Sequence, residues 1–138
     1  MDWARKLPDK RDLLILALLV LLPLLSFSAL FFSDRTLYRH DLTSIHYPLV
    51  IFKARLLGSG QIAFWNPHVL FGFPQLADQD VLALHPLNLI LLLPLKPHVA
   101  LSSFVVAHYI LAGILGYALA RSLQIGRAGA FITGVTFA

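Results

Sequence analysis

The sequence contains no cysteine and no glutamate, and its one methionine is the first residue. Without cysteine there is no disulfide framework, no thiolate nucleophile and no zinc-finger site, and the redox compartment cannot be read. All seven acids are aspartate, against eleven Lys/Arg, for a net charge of +4. Charge of either sign is scarce: 13% of residues are charged and 58% hydrophobic, where soluble domains carry about 25% and about 45–50%. A chain of 138 residues cannot hide that much apolar surface in one small core. Disorder is excluded, a soluble globular domain is disfavoured, and membrane protein is the class that remains. The pI near 9.8 does not read as nucleic-acid binding, because the basic residues are scattered rather than gathered on one face. GxSxG elbow, P-loop, Rossmann glycine pattern and haem motif are all missing.

What is present is a set of long apolar runs. Residues 13–32 carry no charge and, at 1.5 Å per residue, span about 30 Å, the thickness of the hydrocarbon core. Pro23 lies inside, which membrane helices tolerate when neighbours satisfy the freed carbonyl. A signal peptide competes for this segment, with Arg5, Lys6, Lys10 and Arg11 ahead of it and Ser26-Phe27-Ser28 as a small-x-small pattern. Signal cores are usually about 7–15 residues and this run is longer, so we read an uncleaved helix. Residues 99–120 form a second run, with Ala112, Gly116 and Ala120 on one stripe, the small-xxx-small pattern that admits a close partner helix. A third run, 128–138, is too short to cross and reads as the start of a further helix of a longer multi-pass protein. His108, within the second run, is expected to face the bundle interior and hydrogen-bond another helix.

The fold class expected is therefore an all-α polytopic membrane protein, here an N-terminal fragment with two full transmembrane helices and a truncated third. Lys/Arg placement orients it. The basic N-terminus, 1–12, and the 121–127 loop with Arg121 and Arg127 fit the cytoplasm, which puts 33–98 on the outer side. Within that outer loop, Val81 to Leu95 is apolar but broken by His85, Pro86, Asn88 and Pro94. It is read as a re-entrant or interfacial segment that does not cross.

The outer loop holds five of the six His and four of the seven aspartates, and is far longer than a passive connection of about 4–6 residues. Leu42, Ile45, Leu49, Phe52 and Leu56 step at threes and fours, predicting an amphipathic helix over about 44–57 that lies on the membrane surface. Lys53 and Arg55 fall off that stripe, Gly58-Ser59-Gly60 ends it, and Thr43 or Ser44 would cap it. Asp41 would sit just before this helix, where free N–H groups and the dipole favour an anion. Arg35 and Arg39 lie close enough to bind the same phosphate. Each has a plainer role: Asp41 as an N-cap, the two arginines as head-group contacts. Phe64-Trp65-Asn66-Pro67 and Gly72-Phe73-Pro74 are turn formers with interfacial aromatics, and Asp78 and Asp80 precede the re-entrant segment.

His40, Asp41, His46, Asp78, Asp80 and His85 offer N and O donors, but no pair has a recognised metal spacing. An oxygen-rich Mg2+ or Mn2+ site completed by a substrate phosphate stays open.

The ordered set of Gly58-x-Gly60, Phe64-Trp65-Asn66-Pro67, Gly72-Phe73-Pro74, Ala77-Asp78 and His85-Pro86-Leu87-Asn88-Leu89, followed by His108-Tyr109-Ile110-Leu111-Ala112-Gly113 and Leu119-Ala120-Arg121, resembles the N-terminal part of the YfhO-like bacterial membrane proteins. These belong to the GT-C glycosyltransferase superfamily. The resemblance runs from about Arg39 to Ala138, and its specificity lies in the order. His85 stands where the pattern has an aromatic, and Asp80 where it has Gln. The resemblance implies a multi-pass enzyme of the bacterial plasma membrane that takes a sugar from a polyprenyl-phosphate carrier on the outer face. It matches Asp41 to the loop aspartate of the superfamily and Asp78 to a second acidic element. Asp41 is then the base, Arg35 or Arg39 the phosphate contact, and Asp78 a second base candidate. The partners implied are membrane lipid, the polyprenyl-phosphate-linked sugar and the remaining helices of the full-length protein, with no nucleic acid. The rival reading is a non-catalytic multi-pass protein, a transporter subunit or assembly factor, whose outer loop binds a partner.

Overall fold

A computed structural model of the chain describes residues 9–32, 37, 41–77 and 84–138. Its described residues form helices and turns, with one isolated antiparallel bridge between Asn66 and Phe73 and no strands. The all-helical class is as expected. They fall into two compact units, Met1–Ala29 with Val105–Ala138, and Leu30–Phe104.

In the first unit, α1 runs Lys10–Ser26 and starts three residues before the apolar run because Asp9 caps it. The Asp9 carboxylate accepts from the backbone N–H of Arg11 and of Asp12, each at 3.0 Å, while Asp12 accepts from the Asp9 N–H at 3.3 Å. This is a reciprocal capping box with Asp in the usual Glu place. Pro23 has no N–H to give to the preceding turn, and α1 stops one turn later at Phe27, before a short α2, Ser28–Phe32. The unbroken helix expected over 13–32 is thus two pieces. The longer has 17 residues, about 26 Å.

One described helix is long and apolar enough to cross a membrane: α5, Pro97–Ser122, 26 residues with a mean hydropathy of 1.9 in its apolar window. After a turn with Gln124 in the left-handed region, α6 occupies Arg127–Phe137. The buried stripe of α5 over this stretch is Gly113, Gly116, Tyr117 and Ala120, so Gly113 enters the stripe and Ala112 stays half-buried. Its partner is α6. A Cβ on Gly134 would stand 3.0 Å from the Gly113 carbonyl oxygen and 2.8 Å from a Leu19 methyl. Leu19, Tyr117, Ala120 and Ala130 form the core there, with Ile15, Leu16 and Phe131 against it.

In the second unit, a wide π turn over Leu42–His46 leads into α3, Tyr47–Gly58, with Pro48 in its first turn. The helix therefore starts earlier than predicted, and Thr43 and Ser44 lie inside it rather than at its cap. The buried face is Leu49, Val50 and Lys53, with Ile45 exposed. Val50 packs with Leu92 and Ala100, flanked by Ala54, Leu57, Leu91, Leu95 and Leu101, and Leu49 packs with Val69 and Leu76. The predicted stripe is rotated, because neighbours on two sides select residues that the apolar spacing alone did not. Within the Val81–Leu95 stretch, α4 covers only Pro86–Leu92. Its seven residues rise about 10 Å, too little to cross a bilayer.

Candidate functional site

The residues expected to carry the chemistry divide sharply. Arg35, Arg39, His40, Asp78 and Asp80 lie outside the described residues. Asp41 is described, and its local geometry differs from expectation. Its backbone is helical, φ −70° and ψ −36°, and its side chain makes no capping hydrogen bond. It is exposed, at the start of the π turn rather than ahead of the helix.

The main surprise in this unit is Lys53. It was expected on the solvent face, but 1% of it is exposed. Lysine is almost never that buried in folded domains. Burial pushes its ammonium group down to about 8, because low dielectric disfavours the charged form. One helical turn before it, the Leu49 carbonyl accepts a hydrogen bond from Gln75 Nε2 at 3.2 Å. Gln75, in a short 3-10 turn over Gln75–Ala77, is wholly buried, and its Oε1 accepts no hydrogen bond among the described residues. Ser102 Oγ is buried in the same condition. These polar groups were invisible to apolar spacing, which treats any polar residue as outward.

Between α3 and Gln75 the chain makes a tight loop. Asn66 and Phe73 exchange two backbone hydrogen bonds of 2.8 Å, and the Asn66 side chain accepts from the His68 N–H at 3.0 Å, an Asx turn that fixes the bend. Gly72 sits at φ +122°, with the Trp65 indole in the space its Cβ would need, Cε2 at 2.8 Å. The turns read from Asn66-Pro67 and Gly72-Phe73-Pro74 are thus one closed loop.

Of the other metal-donor candidates, His46 lies in the π turn, and His85 precedes α4 with its ring edge-on to Phe104 at 5.2 Å. Among the described residues no three His or Asp come together as a metal site. His108 is exposed on α5, contrary to the expected interior position.

The first unit holds a charged cluster that the sequence reading used only for orientation. Arg127 Nε donates to Asp12 Oδ1 at 3.0 Å, and Tyr117 Oη donates to the same oxygen at 2.6 Å. Arg127 Nη2 also reaches Asp9 and, at 3.3 Å, Asp12 Oδ2. Arg121 Nε stands 3.9 Å from Asp12. The Arg127 and Tyr117 hydrogen bonds hold the Asp12 carboxyl well below the usual carboxylate range, against the opposing pull of burial. The start of α1, the end of α5 and the start of α6 are thereby tied at one point. A sequence signal existed: one acid and two arginines border three apolar runs that must end on one side. No known family, characterised protein or solved structure matches the chain.

Proposed function

We propose that the chain is part of a multi-pass glycosyltransferase of the GT-C type in the bacterial plasma membrane, moving a sugar from a polyprenyl-phosphate carrier to an acceptor on the outer face. Asp41 takes the proton of the acceptor hydroxyl as its oxygen forms a bond to the anomeric carbon. The bond from that carbon to the carrier phosphate breaks, and its electron pair leaves on the phosphate oxygen. Positioned general bases contribute about 10²–10⁴-fold, and the leaving phosphate needs cationic or N–H partners as its charge grows. Arg35 and Arg39 are assigned that role, and Asp78 is the alternative base.

The observation that carries the reading is the exposure of Asp41 at the start of the π turn, where an acceptor hydroxyl can reach its carboxylate. Membrane attachment is supported by α5. The decisive experiment uses membranes containing the full-length protein and radiolabelled hexosyl polyprenyl phosphates, read as release of polyprenyl phosphate. Asp41→Asn, at matched expression, is expected to lose at least about 100-fold in turnover. Equal turnover would remove Asp41 as the base and pass the test to Asp78→Asn. The orientation is checked separately: cysteine at the exposed Ser59, in a chain with no cysteine of its own, should react with an impermeant thiol reagent in intact cells. Labelling only after lysis would reverse the topology.

A further inference from the structure

The loop closed by Asn66 and Phe73 presents two apolar side chains at its tip. Leu70 is 80% exposed and Phe71 wholly so. Both have positive φ, 49° and 60°, a left-handed backbone that residues other than glycine, Asn and Asp seldom adopt. Such a conformation persists only where the surroundings impose it. Here they do: the two Asn66–Phe73 hydrogen bonds, the Gly72 N–H to Val69 carbonyl bond of 2.8 Å, and the Asx turn at Asn66 brace the loop from within. The loop is therefore held in a strained shape that points a leucine and a phenylalanine outward.

Phe64 and Trp65 at its base are also more than half exposed. From Gln61 to Ala77 no residue bears a formal charge, with His68 the one group able to gain it near neutrality. A surface that recognises a charged protein or nucleic acid would carry charge of its own. Twenty residues after Ala77 the chain enters α5 at Pro97, so a chain anchored through α5 keeps lipid within reach of the loop. Trp and Phe at the base with aliphatic and aromatic residues at the tip are the composition of an interfacial anchor. We infer that the 66–73 loop is a lipid-inserting wedge: Leu70 and Phe71 enter the acyl boundary and Trp65 lies at the head-group level. This rests on the membrane reading of α5.

The test uses the full chain in vesicles of equimolar phosphatidylcholine and phosphatidylglycerol. Single cysteines at Leu70, Phe71 and Leu115 (an exposed position of α5) carry a nitroxide, and collision rates with oxygen and with a water-soluble nickel chelate give depth. The expected result is a deep label at Leu115 and labels at Leu70 and Phe71 about 5–10 Å inside the head-group boundary. A deep Leu115 label with Leu70 and Phe71 open to the nickel chelate overturns the wedge and leaves the membrane reading standing. Leu70 and Phe71 labels reached by neither reagent also overturn it, since protein then covers the tip. A Leu115 label in water brings down the membrane reading, and the wedge with it.

Discussion

Asp12 and Arg127 are 115 positions apart in the chain and meet with Arg127 Nε 3.0 Å from Asp12 Oδ1. Their contact, with Tyr117 donating to the same oxygen, joins two apolar helices at ends that carry the residues expected to face the cytoplasm. An acid immediately before one apolar run and an arginine immediately before another can meet in this way only if both runs start on the same side.

Asp12→Asn is expected to destabilise the first unit at pH 7. Hydrogen bonds to charged groups contribute about 1.5–3 kcal/mol; Arg127 is 37% exposed, and solvent screening reduces the expected loss to about 1–2 kcal/mol. The folded carboxyl is held below its unfolded value of about 3.9, so its contribution is complete above that value and declines as pH falls through it toward the folded one. Thermal melts in detergent should show a constant gap between wild type and variant from about pH 5 upward, closing below about pH 4. A gap that is independent of pH down to strong acid would show that the carboxylate charge is irrelevant.

Gly134→Ala tests the α5–α6 contact. The added methyl meets the Gly113 carbonyl at 3.0 Å, a backbone atom that cannot step aside, as well as a Leu19 methyl. Overpacking of this kind costs about 1–3 kcal/mol. Gly58→Ala, where nothing lies within 4 Å of the new methyl, is expected to be neutral or slightly stabilising through helix propensity. Equal melting of the two variants would mean that the helices can separate at no cost.

Lys53 predicts a second rise of stability with pH, at the alkaline end. Its folded value, about 8, lies below the unfolded value of about 10.4, so the unfolded chain holds more protons between the two. Stability should rise across that window, by up to about 3 kcal/mol for a shift of this size, since each unit is worth about 1.4 kcal/mol before relaxation of the site. Lys53→Met, close in volume and uncharged, should abolish the rise. Denaturant titrations at pH 7 and pH 10 measure it directly; parallel behaviour of wild type and Lys53→Met would mean the ammonium is solvated.

How much of this was legible in the sequence depends on which force decided each feature. The helices of the second and third apolar runs follow from length and hydropathy, and appear as α5 and α6 with boundaries shifted by a residue or two. The turns at Asn66-Pro67 and Gly72-Phe73-Pro74 follow from local backbone chemistry. The break at Phe27 was only half legible: Pro23 was visible, but whether it bends or ends a helix depends on what satisfies the freed carbonyl. The face of α3 was not legible. Leu42, Ile45, Leu49, Phe52 and Leu56 fit helical spacing as well as Leu49, Val50, Lys53 and Leu57 do, and only the packing of Leu92, Ala100 and Val69 distinguishes the two sets. At the site, Asp41 was picked out by position, whereas the buried amide of Gln75 carries no sequence signal at all.

The π turn over Leu42–His46 sets an angular phase. In an uninterrupted α-helix the twelve steps from Asp41 to Lys53 would leave the two about 120° apart around the axis. A π turn absorbs one extra residue, which brings them to within about 20°. Deleting one residue between Leu42 and His46 would remove the bulge and leave Asp41 within the same 20° or so of Lys53, whereas drawing the intact stretch into ordinary α pitch would swing it by about 100° around the helix. The pitch of this short stretch, as much as the identity of the aspartate, decides which way that carboxylate is aimed.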